Sequence, residues 1–429
     1  MKASSINQSI VTYYKRDICR LCCSKNLELV VRLDPTPVAE KYLESPEHAG
    51  QVPVYPLNLY MCSDCGHVQL LHIIDPEFLY RDFNYRSAGT RSLLEHFEQT
   101  AESVACNYKF DSHPLAVDIG SNDGSLLKFF KNQGFNVLGV DPAVEIAAEA
   151  STAGVPTLSE FLTPKVVQHI LSNHGPAAVV CAFNVFAHTD DLEGMTSCIR
   201  DLLAPNGIFV FECSYLKDIL EKMLLGTIFH EHLSHHSIAP LRAFLKRLGL
   251  ELIDVQQNDI QGGSIVGIAQ RKWGCRPVLP SVEKIIVAER DMKLQSPETV
   301  KEFSQKLTSI RTEISSFTQA EKKQGKRFWG FGAARSGTTL MAQLDLGNVI
   351  ERIVDDNPSK QNKFTPLYGI PVVATEYLYH EKPDFAFILA WIHASKIVAS
   401  HQRYLEEGGK FITCFPRPCI IGNTGIVPL

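Results

Sequence analysis

Between residues 115 and 141 the chain runs Leu115-Ala116-Val117-Asp118-Ile119, the pattern of a buried strand, then the turn Gly120-Ser121-Asn122-Asp123-Gly124 and the helical run SLLKFFKNQG. A second apolar run, Asn136-Val137-Leu138-Gly139-Val140, follows and ends at Asp141. Strand, glycine turn, helix, strand and acid in this order begin a doubly wound parallel sheet with a nucleotide-type crevice at its strand ends. AAVVCAF as a strand, DLEGMTSCIRDLL as a helix and NGIFVFECS as a strand continue the alternation. The fold class expected is α/β.

The turn also constrains the ligand. A dinucleotide turn, G-x-G-x-x-G, brings a helix N-terminus close to a pyrophosphate. Here the turn is G-S-N-D-G, and Asp123 places an acid where a pyrophosphate would be repelled. S-adenosylmethionine carries no phosphate and its sulfonium is cationic, so a tight turn with Gly120, Asn122, Asp123 and Gly124 beside a carboxylate suits it better. Asp141, 23 positions after Asp118, is placed to accept hydrogen bonds from ribose hydroxyls. The alternative is a turn that only links strand to helix, or one serving another nucleotide.

Two flanking regions read differently. Cys19-Arg20-Leu21-Cys22 and Cys62-Ser63-Asp64-Cys65 are two C-x2-C pairs, the expected halves of a tetrahedral four-cysteine zinc site with no open position, hence structural. Cys23 and His67 lie near enough to compete as ligands but are expected to be bystanders. Residues 281 to 324 read as charge-rich helices, and Arg327 to Gly337 as a strand entering a glycine turn and a helix. ERIVDDNPSK, PDFAFILAW and KFITCF supply further strands of a second Rossmann-like unit. The boundaries expected are 1–80 for the zinc module, 81–280 for the donor-binding domain, 281–325 for a helical linker and 326–429 for a C-terminal α/β domain that encloses substrate.

Length and composition bound the partners. A chain of 429 residues with 45% apolar content can bury several cores. A net charge of -5 without a basic block offers nothing to nucleic acid, which points to a small-molecule partner. MKASSINQSIVTYYKRD lacks the apolar core of a signal peptide, and no apolar stretch is long enough to span a bilayer. A soluble, cytoplasmic protein is expected, in which the twelve cysteines stay as thiols or bind metal.

FHEHLSHHS, residues 229 to 237, holds four histidines and a glutamate. A zinc protease needs H-E-x-x-H, yet position 234 is Ser; the other i,i+4 pair, His232 and His236, is followed by Leu233 where the glutamate is needed. A catalytic metal is therefore disfavoured. His235 and His236 read as structural.

Taken together, C-x2-C with CSDCGHVQ, NYRSAGT, DIGSNDGSLL, FNVFAHTDDL, FHEHLSHHS, GFGAARSG, VDDNPSKQNKFTP and LAWIHASKI resemble, in order and over essentially the whole chain, the C-methyltransferases acting on nucleotide-linked 4-keto-deoxysugars. The resemblance implies a zinc module, a central domain binding S-adenosylmethionine, and a C-terminal domain closing on a TDP- or GDP-linked sugar. It implies methylation at C3: the 4-keto group acidifies the C3 hydrogen, a base removes it, and the enolate attacks the sulfonium methyl. His232 is the base by this resemblance, with Glu231, Tyr85 and His188 as further catalytic positions. Asp118 and Asn184 join the cofactor set, and Phe229, His230, Arg335, Lys360 and Lys363 the substrate set. The family commonly has Tyr where this chain has Phe229, which removes a hydroxyl from the sugar's surroundings. An arginine at position 335, where a third glycine would stand, argues against NAD(P) in the second turn. An O- or N-methyltransferase, an oxidoreductase and a non-catalytic scaffold are the competing functions.

Overall fold

A computed structural model describes residues 13–81, 83, 85–110 and 112–429. The chain divides into two compact units, each assembled from non-contiguous segments. One contains the described residues up to Glu28 with Met61–Lys217 and Leu233–Ser296; the other contains Leu29–Tyr60, Asp218–His232 and Pro297–Leu429.

The first unit is built on seven strands in the order Leu250–Asn258, Ser264–Arg271, Leu203–Ser214, Ala177–Phe183, Leu115–Ile119, Asn136–Val140, Thr157–Leu158. Ser264–Arg271 runs antiparallel to both neighbours, and the remaining pairings are parallel. Continuous apolar strands are what a sheet covered on both faces requires. Leu115, Val117 and Ile119 face one core, shared with Val167 and Ile170 of the helix Pro164–His174 and with Ile199 and Leu202 of the helix Leu192–Leu202. Ala116 faces the other, shared with Leu126, Leu127 and Phe130 of the helix Ser125–Asn132 and with Leu93 and Phe97 of the helix Arg91–Asn107. The alternation expected from the sequence is borne out, strand by strand.

The second unit has its own seven-stranded sheet, ordered Val372–Val373, Ile353–Val354, Phe328–Phe331, Phe385–Ile388, Lys410–Thr413, Cys419–Gly422, Gly425–Pro428. The first five strands are parallel and the last two antiparallel. Phe328–Phe331 turns through Gly332, at φ 90°, into the helix Arg335–Gln343. A Cβ on Gly332 would run into Ala390, so glycine is needed there for space as well as for its backbone angle. The 27-residue helix Pro297–Lys323 buries Val300, Phe303, Leu307, Ile310 and Ile314, spaced three and four apart along one stripe. Among the described residues no helix is long and apolar enough to cross a membrane.

Candidate active site and metal centre

In the first unit, the donor-side residues converge at the end of Leu115–Ile119. Gly120, Asn122 and Gly124 all have positive φ, 69°, 50° and 74°, which makes the turn tight enough to expose its backbone. Asp141 fixes it: its carboxylate accepts from the Asn122 N–H at 2.8 Å and from the Ala143 N–H at 2.8 Å. Asp123 accepts from the N–H of Ser125, the first residue of the helix that follows, at 3.1 Å, and from the Ala88 N–H at 2.8 Å. Asn122 bonds the same neighbouring segment, accepting from Ser87 N at 2.9 Å and donating to the Tyr85 carbonyl at 2.9 Å.

Asp118 is the exception. It is 3% exposed, its Oδ1 has no hydrogen-bond partner, and burial, with the Asp141 charge second, pushes its pKa up to about 8. Ser121 Oγ is likewise buried without a partner. A buried carboxylate without donors fits a cationic ligand, and S-adenosylmethionine brings a sulfonium and an ammonium. Asn184 ends the adjacent strand Ala177–Phe183 in the left-handed region at φ 54°, its N–H held by the Glu212 carbonyl at 2.8 Å. Tyr85 is on the surface, its hydroxyl 3.5 Å from Thr90 Oγ1. His188 is half-buried and stacks on Tyr80, ring centroids 6.1 Å apart and planes within 6°.

The four cysteines also belong to this unit. Their sulfurs lie within 4.8 Å of one another, with Cys19 to Cys65 at 3.6 Å and Cys22 to Cys62 at 3.5 Å. A tetrahedral zinc with Zn–S near 2.3 Å requires sulfurs about 3.8 Å apart, so the set fits. Neither Cys23 nor His67 joins it among the described residues. His67 instead bonds Ser234 at 3.2 Å and stacks on His236 at 5.4 Å, while Phe186 covers His236's ring at 5.7 Å. Between the two cysteine ligands of the first pair, the fully buried Arg20 reaches Asp190 at 2.9 Å and the carbonyls of Leu70 and Leu233.

The histidine stretch is divided between the units. Residues up to His232 belong to the second unit and Leu233 onward to the first. Gly226 sits where a Cβ would strike Trp391, and Thr339 of the helix Arg335–Gln343 donates to the Ile228 carbonyl at 3.0 Å, so this segment is held against that helix. Phe229, His230 and Glu231 are buried, while His232 keeps part of its surface exposed.

His232 Nδ1 lies 2.6 Å from the Thr227 carbonyl. A carbonyl only accepts, so Nδ1 carries the proton and the lone pair is on Nε2. Burial chiefly, with the Arg335 charge adding and the Thr227 carbonyl opposing, holds His232 down at about 4, so the ring is neutral at pH 7. Phe229 covers it, ring centroids 4.0 Å apart. His230 Nε2 donates to the Tyr55 carbonyl at 3.2 Å. Glu231 accepts from Arg335 at 2.8 Å; burial raises its pKa against that guanidinium. Arg335 also reaches Glu40 at 2.8 Å, Lys360 meets Glu40 at 3.0 Å, and Lys363 lies 3.4 Å from Glu44. The turn's Ala333 N–H is held by Asp355 at 2.6 Å. Glu40 and Thr227 carry no motif and were not among the expected site residues; no local pattern would have found them.

Comparison with known proteins divides the chain by sequence order, and each matched segment takes residues from both units. Residues 19–80 match a family described as "Putative zinc binding domain", 96–255 a "Methyltransferase domain", and 259–416 a "C-methyltransferase C-terminal domain". The chain is 32% identical over 406 residues to C-methyltransferase NovU of Streptomyces niveus, covering 94% of this chain and 97% of that one. Solved structures similar to part of it include magnesium protoporphyrin IX methyltransferase of Synechocystis with bound S-adenosylhomocysteine, at 18% identity and TM-score 0.33, over 44% of this chain and 90% of that one. Another is an S-adenosylmethionine-dependent methyltransferase of Clostridium acetobutylicum, at 13% identity and TM-score 0.34, over 43% and 94%.

Proposed function

Because the chain belongs to the S-adenosylmethionine-dependent C-methyltransferases, we propose that it methylates C3 of a nucleotide-linked 4-keto-6-deoxy sugar, with His232 as the base. The observation that carries the base assignment is the 2.6 Å contact of Nδ1 with the Thr227 carbonyl, which leaves the lone pair on Nε2 of a neutral ring. The substrate class rests on the resemblance of NYRSAGT and FHEHLSHHS to the sugar-modifying branch.

The C3–H bond breaks toward Nε2, its electron pair moves into a C3–C4 double bond, and the ketone oxygen takes the negative charge. Accepting that proton makes His232 a cation beside Arg335, and the carboxylate of Glu231, 2.8 Å from that guanidinium, offsets the added charge. Phe229 covers one face of the imidazole and excludes water from it. Asp118, Asn122, Asp123, Asp141 and Asn184, with Gly120 and Gly124 shaping the turn, would hold the cofactor. Bound there, S-adenosylmethionine would supply an electrophilic methyl group. Tyr85 and His188 are further candidates for contact with the sugar. The four cysteines would hold a structural zinc, whose closed four-sulfur shell leaves no position for substrate.

The test is His232→Asn, assayed by mass spectrometry with TDP- and GDP-linked 4-keto-6-deoxyhexoses in deuterated water. Wild type should add one methyl on carbon and, without donor, exchange the C3 hydrogen. The variant should lose both while binding S-adenosylmethionine as before. Unchanged turnover would remove His232 from the mechanism, and absence of any methylated sugar in wild type would remove the substrate class.

A further inference from the structure

Resting on the assignment of His232, we propose that Glu40 is a positioning residue of the active site: it fixes Arg335, and through it Glu231, and keeps the charge set beside the base neutral. Neither the sequence motifs nor the family matches assign Glu40 any role.

The geometry is a chain of ion pairs within the second unit. Arg335 lies between two carboxylates, Glu231 at 2.8 Å and Glu40 at 2.8 Å, through different guanidinium nitrogens. Glu40 in turn holds Lys360 at 3.0 Å, and Lys360 also donates to the Ala333 carbonyl at 2.8 Å, inside the glycine turn that launches the Arg335 helix. One side chain therefore ties the arginine and the turn that presents it. The side chains of Glu40 and Arg335 are 16% and 21% exposed, so water screens the pair little. Burial works to raise Glu40's pKa, yet Arg335 and Lys360 outweigh it and leave it below the usual carboxylate value. The backbone at Glu40 is in the left-handed region, φ 57°, a conformation that residues with a Cβ rarely adopt. That backbone carries the carboxylate that joins both cations.

The arithmetic of charge explains why two carboxylates are needed. Glu231, Glu40, Arg335 and Lys360 sum to zero, while removing Glu40's charge leaves a net positive set beside a histidine that must become cationic. Lys41, which also acts on Glu231, adds to that positive side, and Asp355 is engaged by the Ala333 N–H. In this proposal Arg335 and Lys360, placed in the substrate set by the sequence, act as parts of the scaffold of the base.

The experiment compares Glu40→Gln, which keeps size and removes charge, with Glu40→Asp, which keeps charge and draws it back. Both are read by kcat, sugar KM and donor-independent exchange of the C3 hydrogen. Expected is a fall of about tenfold or more in kcat and in exchange for Gln, in line with what small displacements of catalytic groups cost, a smaller fall for Asp, and little change in KM. A double-mutant cycle with Arg335→Lys should show that Glu40→Gln adds little once Arg335 is altered. If Glu40→Gln does not fold, the same cycle is run with Asp. Equal or higher activity of Gln than Asp, or full additivity with Arg335→Lys, overturns the proposal. Loss of turnover on His232→Asn together with unchanged kcat in both Glu40 variants would overturn it alone, leaving the base in place.

Discussion

Asp118→Asn should separate what the first unit needs to bind its donor from what it needs to stay folded. The carboxylate is fully buried, Oδ1 has no partner, and its pKa is pushed up to about 8 by burial and then by Asp141. A cationic donor favours the ionised form, so affinity follows the ionised fraction: about one half at pH 8, one tenth at pH 7 and one hundredth at pH 6. Titration of S-adenosylmethionine by calorimetry from pH 8 to pH 6 should therefore show affinity falling about fifty-fold in wild type. In Asp118→Asn, binding should be weak and flat. The apo protein should respond oppositely. An ordinary Asp titrates near 3.8, so between that pH and about 8 the folded state holds a proton that the unfolded chain has released. Stability then falls by about 1.4 kcal/mol per pH unit across that window as pH rises. Asn has no such slope, so the variant should melt higher than wild type at pH 7 while binding donor worse. A flat wild-type affinity, or a variant that keeps the slope, would show that another group governs the site.

Three further substitutions test the scaffold. Cys62→Ser should lower zinc content and thermal stability together, since three sulfurs cannot complete a closed tetrahedral site; metal analysis and a melting curve on the same sample decide it. Arg20→Met removes the buried donor to the Leu70 carbonyl and one partner of Asp190, which keeps Arg16, while the Leu233 carbonyl keeps the Leu70 N–H; denaturant unfolding should show a loss of about 1–3 kcal/mol. Glu289→Gln removes one acceptor oxygen from a carboxylate that holds the Tyr215 hydroxyl at 3.0 Å and the N–H groups of Ile238 and Ala239 at the start of the helix Ile238–Arg247. A cost of about 1–3 kcal/mol should appear in unfolding with donor affinity unchanged.

The parts of this fold that were legible in the sequence are those set by local pattern. Leu115–Ile119, the glycine turn and Asn136–Val140 were readable because apolar runs, positive-φ glycines and a terminal acid each have a near-neighbour cause. The cysteine pairs were readable because a tetrahedral site constrains spacing. Partition was not readable: Leu29–Tyr60 and Asp218–His232 pack with Pro297–Leu429 through contacts between residues far apart in sequence, so FHEHLSHHS straddles a boundary that no composition shift marks. The chemistry of that stretch was visible as a cluster of histidines in which His235 and His236 read as structural, and both are buried; the Thr227 carbonyl that holds His232 was not visible. Glu40 was invisible for the same reason, since its partners lie 295 and 320 positions away.

Buried carboxylates are common in this chain, and burial alone does not say which of them work on a ligand. Glu289 accepts from two backbone N–H groups and a tyrosine, and Glu212 from Asn258 at 2.9 Å while facing His96 at 3.0 Å. Glu231 and Glu40 share Arg335. In each case the folded protein already supplies the donors that offset desolvation, so the carboxylate stabilises or positions. Asp118 is different: the fold desolvates it, places Asp141's charge nearby and leaves Oδ1 unpaired. In the free protein that cost is met by protonation, since the pKa is pushed up to about 8, and a cationic methyl donor offsets it instead by favouring the ionised carboxylate. The buried acid thus points to a cationic ligand more directly than the glycine turn beside it, because such turns also occur where nothing binds, whereas ionising this carboxyl near neutral pH needs a positive charge beside it.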